Sequence, residues 1–283
     1  MQTKILQLAE GQTLEVLIHG AADKQAVIFH HGAMAASEIM APLYRAAEKM
    51  NIFAIGITRP GYAQSSRREG RRAGNYYLET QAVADHFELA KFVSLGWSSG
   101  GPAAISDSQD YRCKGAVTIA GDAPRVGHDW LDYVEKYPPK NDALNPSESF
   151  DFSALKSITG DKLADVFGDL LSAADLEIGQ GVHKDELAAG IRHGFSSGDF
   201  GVIDDSESDA TDWEIDFSKI KVPVAVFQGD EDRMCTPAHG YYLADKIANA
   251  KLFIAEGEGH ISLSYSQGDR IIAKALEYLN SKS

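Results

Sequence analysis

The chain has 283 residues, 44% hydrophobic and 24% charged, with a formal net charge of −14 and two cysteines. That length holds one large α/β domain or two ordinary ones. The acidity argues against a nucleic-acid partner, no run approaches the ~20 apolar residues of a membrane helix, and Cys113 and Cys235 make neither a disulfide framework nor a C-x-x-C metal site.

In chain order, residues 1–10 lack the apolar core of a signal peptide, so a reduced, cytoplasmic setting is the default expectation. Residues 14–18 alternate like an outer strand, and 26–29 and 52–57 read as buried strands. Ser37 is a candidate N-cap for a helix over 38–49, and 76–89 reads as the next helix. Residues 92–95 form a strand, 96–100 a sharp turn, and a helix runs on to about 108. A strand at 115–120 follows. The strand–helix alternation then stops near Asp122 and resumes near Val222 with a strand at 222–227, a helix at 239–248, a strand at 251–255 and a helix at 267–279. Between them the helix-like segments 129–135, 161–171 and 184–192 have no strand partners. The pattern predicts a mostly parallel sheet covered on both faces, with a core of residues 1–122 and 213–283 and a helical cap inserted at 123–212.

Charge follows the same division. Residues 122–216 carry 22 acidic and seven basic side chains, and the rest of the chain is close to neutral. The simple reading is a solvated insertion; the sharper one is a field that favours cationic ligands or repels acids. The basic cluster Arg67-Arg68-Glu69-Gly70-Arg71-Arg72 reads as a solvated loop.

The chemistry centres on Gly96-Trp97-Ser98-Ser99-Gly100, a G-x-S-x-G turn directly after a strand. A serine hydroxyl is a poor nucleophile unless a turn projects it to a base, and glycines at 96 and 100 remove the Cβ atoms that would collide there. The candidate base is His260, on a glycine-flanked loop after the last strand. Eight other histidines compete, none so placed. Asp232, in Gly229-Asp230-Glu231-Asp232-Arg233, is the preferred orienting acid, and Asp122 at the end of the strand before the insertion is the serious rival. Oxyanion donors are expected from the backbone of Ser99 and from Ala33 or Met34 in His30-His31-Gly32-Ala33-Met34. Adjacent strand residues point to opposite faces, so His30 and His31 make a poor metal pair.

These landmarks, in register, resemble the α/β-hydrolase fold family over nearly the whole length: His31-Gly32, Arg59-Pro60-Gly61-Tyr62 with Ser65, Gly96-Trp97-Ser98-Ser99-Gly100, Gly229-x-x-Asp232 with Pro237, and Gly259-His260. The resemblance implies an eight-stranded, mostly parallel sheet with a cap, a Ser98–Asp232–His260 triad, and Ala33 and Ser99 as oxyanion donors. Two positions depart from the common pattern: Thr58 stands where an acid is frequent, and Ala63 where a glycine is. Dehalogenases and epoxide hydrolases of this fold use an aspartate nucleophile, which Ser98 argues against. Proline iminopeptidases place a tryptophan after the serine, whereas Trp97 precedes it.

The expected activity is hydrolysis of a small-molecule carboxylic ester or related acyl bond, needing no metal or organic cofactor. Amide or carbon–carbon bond hydrolysis and perhydrolysis run on the same triad, and a small-molecule receptor with an idle triad is the non-enzyme alternative. Met34, Tyr62 and Trp97 adjoin the catalytic loops and are expected to face the substrate. Trp130, Tyr133, Phe152, Phe167, Leu170, Phe195 and Phe200 either wall the pocket or pack the insertion on the core, the latter being simpler for each alone. Cys235 reads as a buried filler.

Overall fold

Short apolar runs, each flanked by turns, become the eight strands of a single sheet. They are β1 (Gln2–Gln7), β2 (Thr13–His19), β3 (Ala26–His30), β4 (Phe53–Ile57), β5 (Phe92–Trp97), β6 (Cys113–Ile119), β7 (Val224–Gly229) and β8 (Ala250–Ala255). The sheet order in the computed structural model, which describes residues 1–125, 129–138 and 152–281, is β1-β2-β4-β3-β5-β6-β7-β8. β1–β2 and β2–β4 are antiparallel; every pairing from β4 to β8 is parallel. Strand β1 had no signal in the sequence: most of its residues are exposed on both faces, so it lacks the alternation of a half-buried strand.

Successive residues of the central strands face opposite layers. Val27, Phe29, Val93, Leu95, Val117 and Ile119 join one core with α1 (Ala41–Lys49) and α10 (Ser262–Asn280). On the other face Ala116, Val224 and Val226 pack with α3 (Gly101–Ser106) and α9 (Pro237–Lys246), while Ala26, Ile28 and Phe92 pack with α2 (Tyr77–His86). Among the described residues no helix is long and apolar enough to cross a membrane.

Among the described residues five α-helices separate β6 from β7: α4 (Trp130–Lys136), α5 (Leu163–Phe167), α6 (Ala173–Gln180), α7 (Lys184–Gly194) and α8 (Phe200–Asp209). Of the span expected as an insertion, residues 126–128 and 139–151 lie outside the described residues. The helix expected over 161–171 is broken, because Gly168 takes a φ of +48° and ends α5 at Phe167. Helices α6 and α8 were not anticipated, and α10 begins at Ser262, earlier than its apolar periodicity indicated.

Candidate active site

All the parallel strands deliver their C-terminal loops to one edge of the sheet, so residues far apart in sequence meet there. β5 ends at Trp97, and Ser98 takes a φ of +56°, a left-handed conformation that a side-chain-bearing residue rarely adopts. The neighbouring glycines make that turn possible: a Cβ on Gly96 would strike the Gly100 carbonyl, and one on Gly100 would strike the carbonyl of His30 at the end of β3. A Cβ on Gly32 would sit 2.9 Å from that of Ser98. The Asp122 N–H donates to the Ser98 carbonyl at 3.2 Å, tying the turn to the loop after β6.

His260 follows β8 and is held from every side. Its Nδ1 meets Asp232 Oδ2 at 2.9 Å, its carbonyl accepts from Trp97 Nε1 at 3.0 Å, and its N–H donates to Asp175 Oδ2 at 3.0 Å. Asp232 Oδ1 accepts from the N–H groups of Met234 and Cys235, both at 2.9 Å, and these bonds with the facing His260 work against burial, which holds its pKa above the ordinary carboxylate value. Burial works against a charged His260 ring. The facing Asp232 carboxylate, its hydrogen bond and the charge of Asp175 outweigh it, so the pKa stands above the usual imidazole value. With Nδ1 engaged, Nε2 is the nitrogen left for proton transfer.

The rival acid is committed elsewhere. Asp122 accepts from Arg125 at 2.9 Å and from the Cys235 thiol at 3.3 Å. Burial and the Asp122 carboxylate push that thiol well above its ordinary pKa, so Cys235 is a poor nucleophile. His239, behind Asp122, is held neutral by burial, its pKa down to about 3, and its Nδ1 accepts from the Ala123 N–H at 2.8 Å.

Tyr62 corrects an expectation. It does not face the cleft: it is 1% exposed, and its hydroxyl donates to Asp205 Oδ2 at 2.5 Å. Asp205, on α8, also receives Arg59 in a two-bond fork at 2.8 Å each and Arg71 at 2.6 Å. Arg59 reaches on to the Ser99 hydroxyl at 3.1 Å and carbonyl at 3.4 Å. The basic cluster is thus no solvated loop. Arg71 is buried, Arg67 pairs with Asp204, and Arg68 forks onto Glu79. The Tyr62 hydroxyl also accepts the Met34 N–H at 3.3 Å, which occupies one of the two candidate amides on the β3 loop.

Ser98 and His260 line one cavity together with Ala33, Met34, Trp97 and Met234. Leu163, Phe167, Leu171, Gly179, Leu187 and Ile191, from the segment between β6 and β7, close its other side. No Asp, Glu, Lys or Arg is among the described residues that line it. Of the aromatic candidates for its wall, Phe167 alone serves. Trp130 packs on His239 with ring centres 4.5 Å apart, Tyr133 packs on Tyr242, Phe195 is core, and Phe200 lies under Arg67. Phe152 packs against the core, and Leu170 is absent from the wall. The aliphatic wall was missed because Leu and Ile at helical spacing read as ordinary core.

His30 and His31 have separate structural partners. His30 Nε2 meets Asp107 at 2.8 Å, while His31 Nε2 accepts the Arg59 N–H at 2.9 Å and its Nδ1 donates to the Gly32 carbonyl at 2.6 Å. Glu15, Glu38 and His193 bring three potential metal-ligand atoms within 4.8 Å of one another. Their geometry is also that of an ion-paired imidazolium: His193 Nδ1 lies 2.9 Å from Glu38 and Nε2 3.5 Å from Glu15, and hydrogen bonds to both carboxylates raise its pKa to about 10.

Among solved structures, the chain matches a bromoperoxidase from Bacillus anthracis at 17% identity and a TM-score of 0.73, covering 99% of this chain and 100% of that one. It matches an enol-lactonase from Burkholderia xenovorans LB400 at 19% identity and a TM-score of 0.72, covering 98% and 100%. An esterase from Exiguobacterium antarcticum matches at 18% identity and 0.69, covering 99% and 100%. At such identities the likeness speaks for the fold alone. No curated protein matches the chain. The alpha/beta hydrolase fold family model matches residues 25–266, and the chain therefore belongs to the alpha/beta hydrolase fold family.

Proposed function

We propose that the protein is a serine hydrolase of carboxylic esters or related acyl bonds, with Ser98 as nucleophile, His260 as general base and acid, and Asp232 as its orienting carboxylate. The observation that carries the reading is that Ser98, on its left-handed turn, and the Asp232-bound imidazole of His260 open onto the same cavity. In this mechanism Ser98 Oγ attacks the carbonyl carbon and passes its proton to His260 Nε2. The oxyanion is held by the N–H groups of Ala33 and Ser99, since Met34 spends its own on Tyr62. Collapse expels the alcohol, which takes the proton from His260. Water then attacks the acyl group, again losing a proton to His260, and the acid leaves as Ser98 regains its hydrogen.

The insertion acts here as a cap whose aliphatic wall selects uncharged, apolar acyl groups, because burying an ionised group against it would go uncompensated. Met34 and Trp97 contact substrate. Two buried free thiols, Cys113 and Cys235, fit a reducing, cytoplasmic setting.

Esters of graded chain length, with matched amides and lactones, test the proposal against Ser98→Ala and a serine-reactive fluorophosphonate. Turnover that vanishes in Ser98→Ala while its fold is kept, with labelling that depends on His260, is the expected result. Undiminished hydrolysis by Ser98→Ala overturns the mechanism; a folded wild type that neither turns over nor labels favours a receptor.

A further inference from the structure

Asp175 lies outside every motif in the sequence reading, yet it is fully buried. It sits in the first turn of α6, where Ser172 and Asp175 form a reciprocal capping box. That role occupies one of its acceptor positions, through the Ser172 N–H at 3.1 Å. Its other bonds leave the helix. Oδ2 also accepts from the His260 N–H at 3.0 Å, and Oδ1 accepts from Ile261 at 2.7 Å and Ser262 at 2.8 Å. These are the consecutive amides that open α10, whose positive end favours an anion. The fit has no slack on the core side: a Cβ on Gly259 would collide with Asp175 Oδ2 and with the Ser172 hydroxyl.

We propose that Asp175 is a positioning residue for the base: it locks the backbone at His260 from the insertion side and sets a second negative charge beside the imidazolium that forms during turnover. The inference rests on His260 being the general base. Asp232 fixes the ring and Trp97 holds the carbonyl, while Asp175 takes the N–H groups of His260 and of the two residues that follow. Among the described residues, the charged and titratable groups facing His260 include Asp232 after β7, Asp175 on α6, Asp122 after β6 and His239 on α9. Asp122 is paired with Arg125, and His239 is neutral. Asp175 has neutral backbone amides for all four of its hydrogen-bond partners. Its charge is therefore less offset than that of Asp122, and it supports a protonated His260. Helix α6 must then stay seated for the base to work.

The test compares Asp175→Asn, Ser172→Ala, Gly259→Ala and Ser98→Ala in the full chain, using p-nitrophenyl butyrate and pH profiles of kcat and kcat/KM. Asp175→Asn is expected to move the acid limb of kcat/KM down by about one pH unit and to lower kcat about tenfold or more, with KM within about twofold. Ser172→Ala weakens the cap of α6 but leaves the three bonds to residues 260–262, so its acid limb stays in place. Gly259→Ala displaces the carboxylate without removing its charge, so kcat falls with little movement of the limb. A folded Asp175→Asn with a wild-type limb and kcat overturns the proposal, as does an equal shift from Ser172→Ala. If Asp175→Asn does not fold, a wild-type kcat in Gly259→Ala overturns it instead. Activity surviving in Ser98→Ala would sink the hydrolase reading separately; titration of the His260 ring by NMR, with and without Asp175→Asn, would then decide the positioning role.

Discussion

Asp205 shows how much can depend on one carboxylate of α8. It neutralises Arg59 and Arg71, both buried, and accepts from Tyr62, while Arg59 also holds Ser99 beside the nucleophile. Asp205→Ala would leave two guanidinium groups without their counter-ion, and breaking a buried pair in this way costs about 3–5 kcal/mol. Denaturant unfolding is expected to report a loss of that size; a loss no greater than that of a surface substitution would mean that water reaches the arginines. The raised His260 pKa gives a second prediction. A base must be neutral to act, so the acid limb of kcat/KM is expected above the ordinary imidazole value of about 6.5, with activity falling as pH drops through it. A limb at or below that value would contradict the Asp232–His260 geometry. Ser98, Asp232 and His260 could be singled out as candidates because each stands in a glycine-flanked loop after a strand. Tyr62 was misread because a tyrosine beside catalytic loops looks the same whether it faces substrate or a carboxylate 143 residues away. Asp175 went unnoticed because nothing local could show that a carboxylate on α6 reaches the backbone of His260.

Helices whose inner faces are apolar were legible, and those whose inner faces are polar were not. The buried positions of α6 are Asp175 and Gly179, and those of α8 include Asp204, Asp205 and Ser208, so neither carries the apolar period that marks a helix. Helix α7, by contrast, buries Leu187, Ala188 and Ile191, and it was read within two residues of its observed ends. It also presents Gly190 and Gly194, one turn apart, to the loop after β3. The Ala36 N–H donates to the Gly190 carbonyl at 3.0 Å, and a Cβ on Gly194 would come within 2.6 Å of the Ala35 backbone. Ala35 is two residues from Ala33, the proposed oxyanion donor. Gly194→Ala is therefore expected to push α7 off that loop. Overpacking of this kind costs about 1–3 kcal/mol, and kcat should fall while the Ser98–His260–Asp232 side of the site is untouched. Wild-type kcat in a measurably destabilised Gly194→Ala would show that the α7 contact and the oxyanion loop are independent.

Across the whole molecule the basic core loop is clasped by two buried carboxylates of α8, while most of the described acids between β6 and β7 stay exposed as a solvated block. Asp204 and Asp205 take Arg67, Arg59 and Arg71, and a third tie joins α7 to the core through His193, Glu15 and Glu38. That last tie makes the attachment of α7 depend on pH. The His193 pKa is raised to about 10 by Glu15 and Glu38, against about 6.5 for an unfolded histidine. Its contribution is therefore complete below pH ~6.5 and declines as pH rises towards 10, because over that window the folded chain holds a proton that the unfolded chain has released. Asp209 has the same sign in a different window. Burial, with Asp122 and Asp205 nearby, raises its pKa to about 8, so stability is lost as pH climbs from the ordinary carboxylate range through 8. Thermal unfolding followed between pH 6 and 10 separates the two. The wild-type Tm is expected to fall throughout, His193→Gln to flatten the decline that persists above pH 8, and Asp209→Asn to flatten the part below it. If the slope above pH 8 is the same in His193→Gln as in the wild type, then His193 is not the cation that fastens α7 to the sheet.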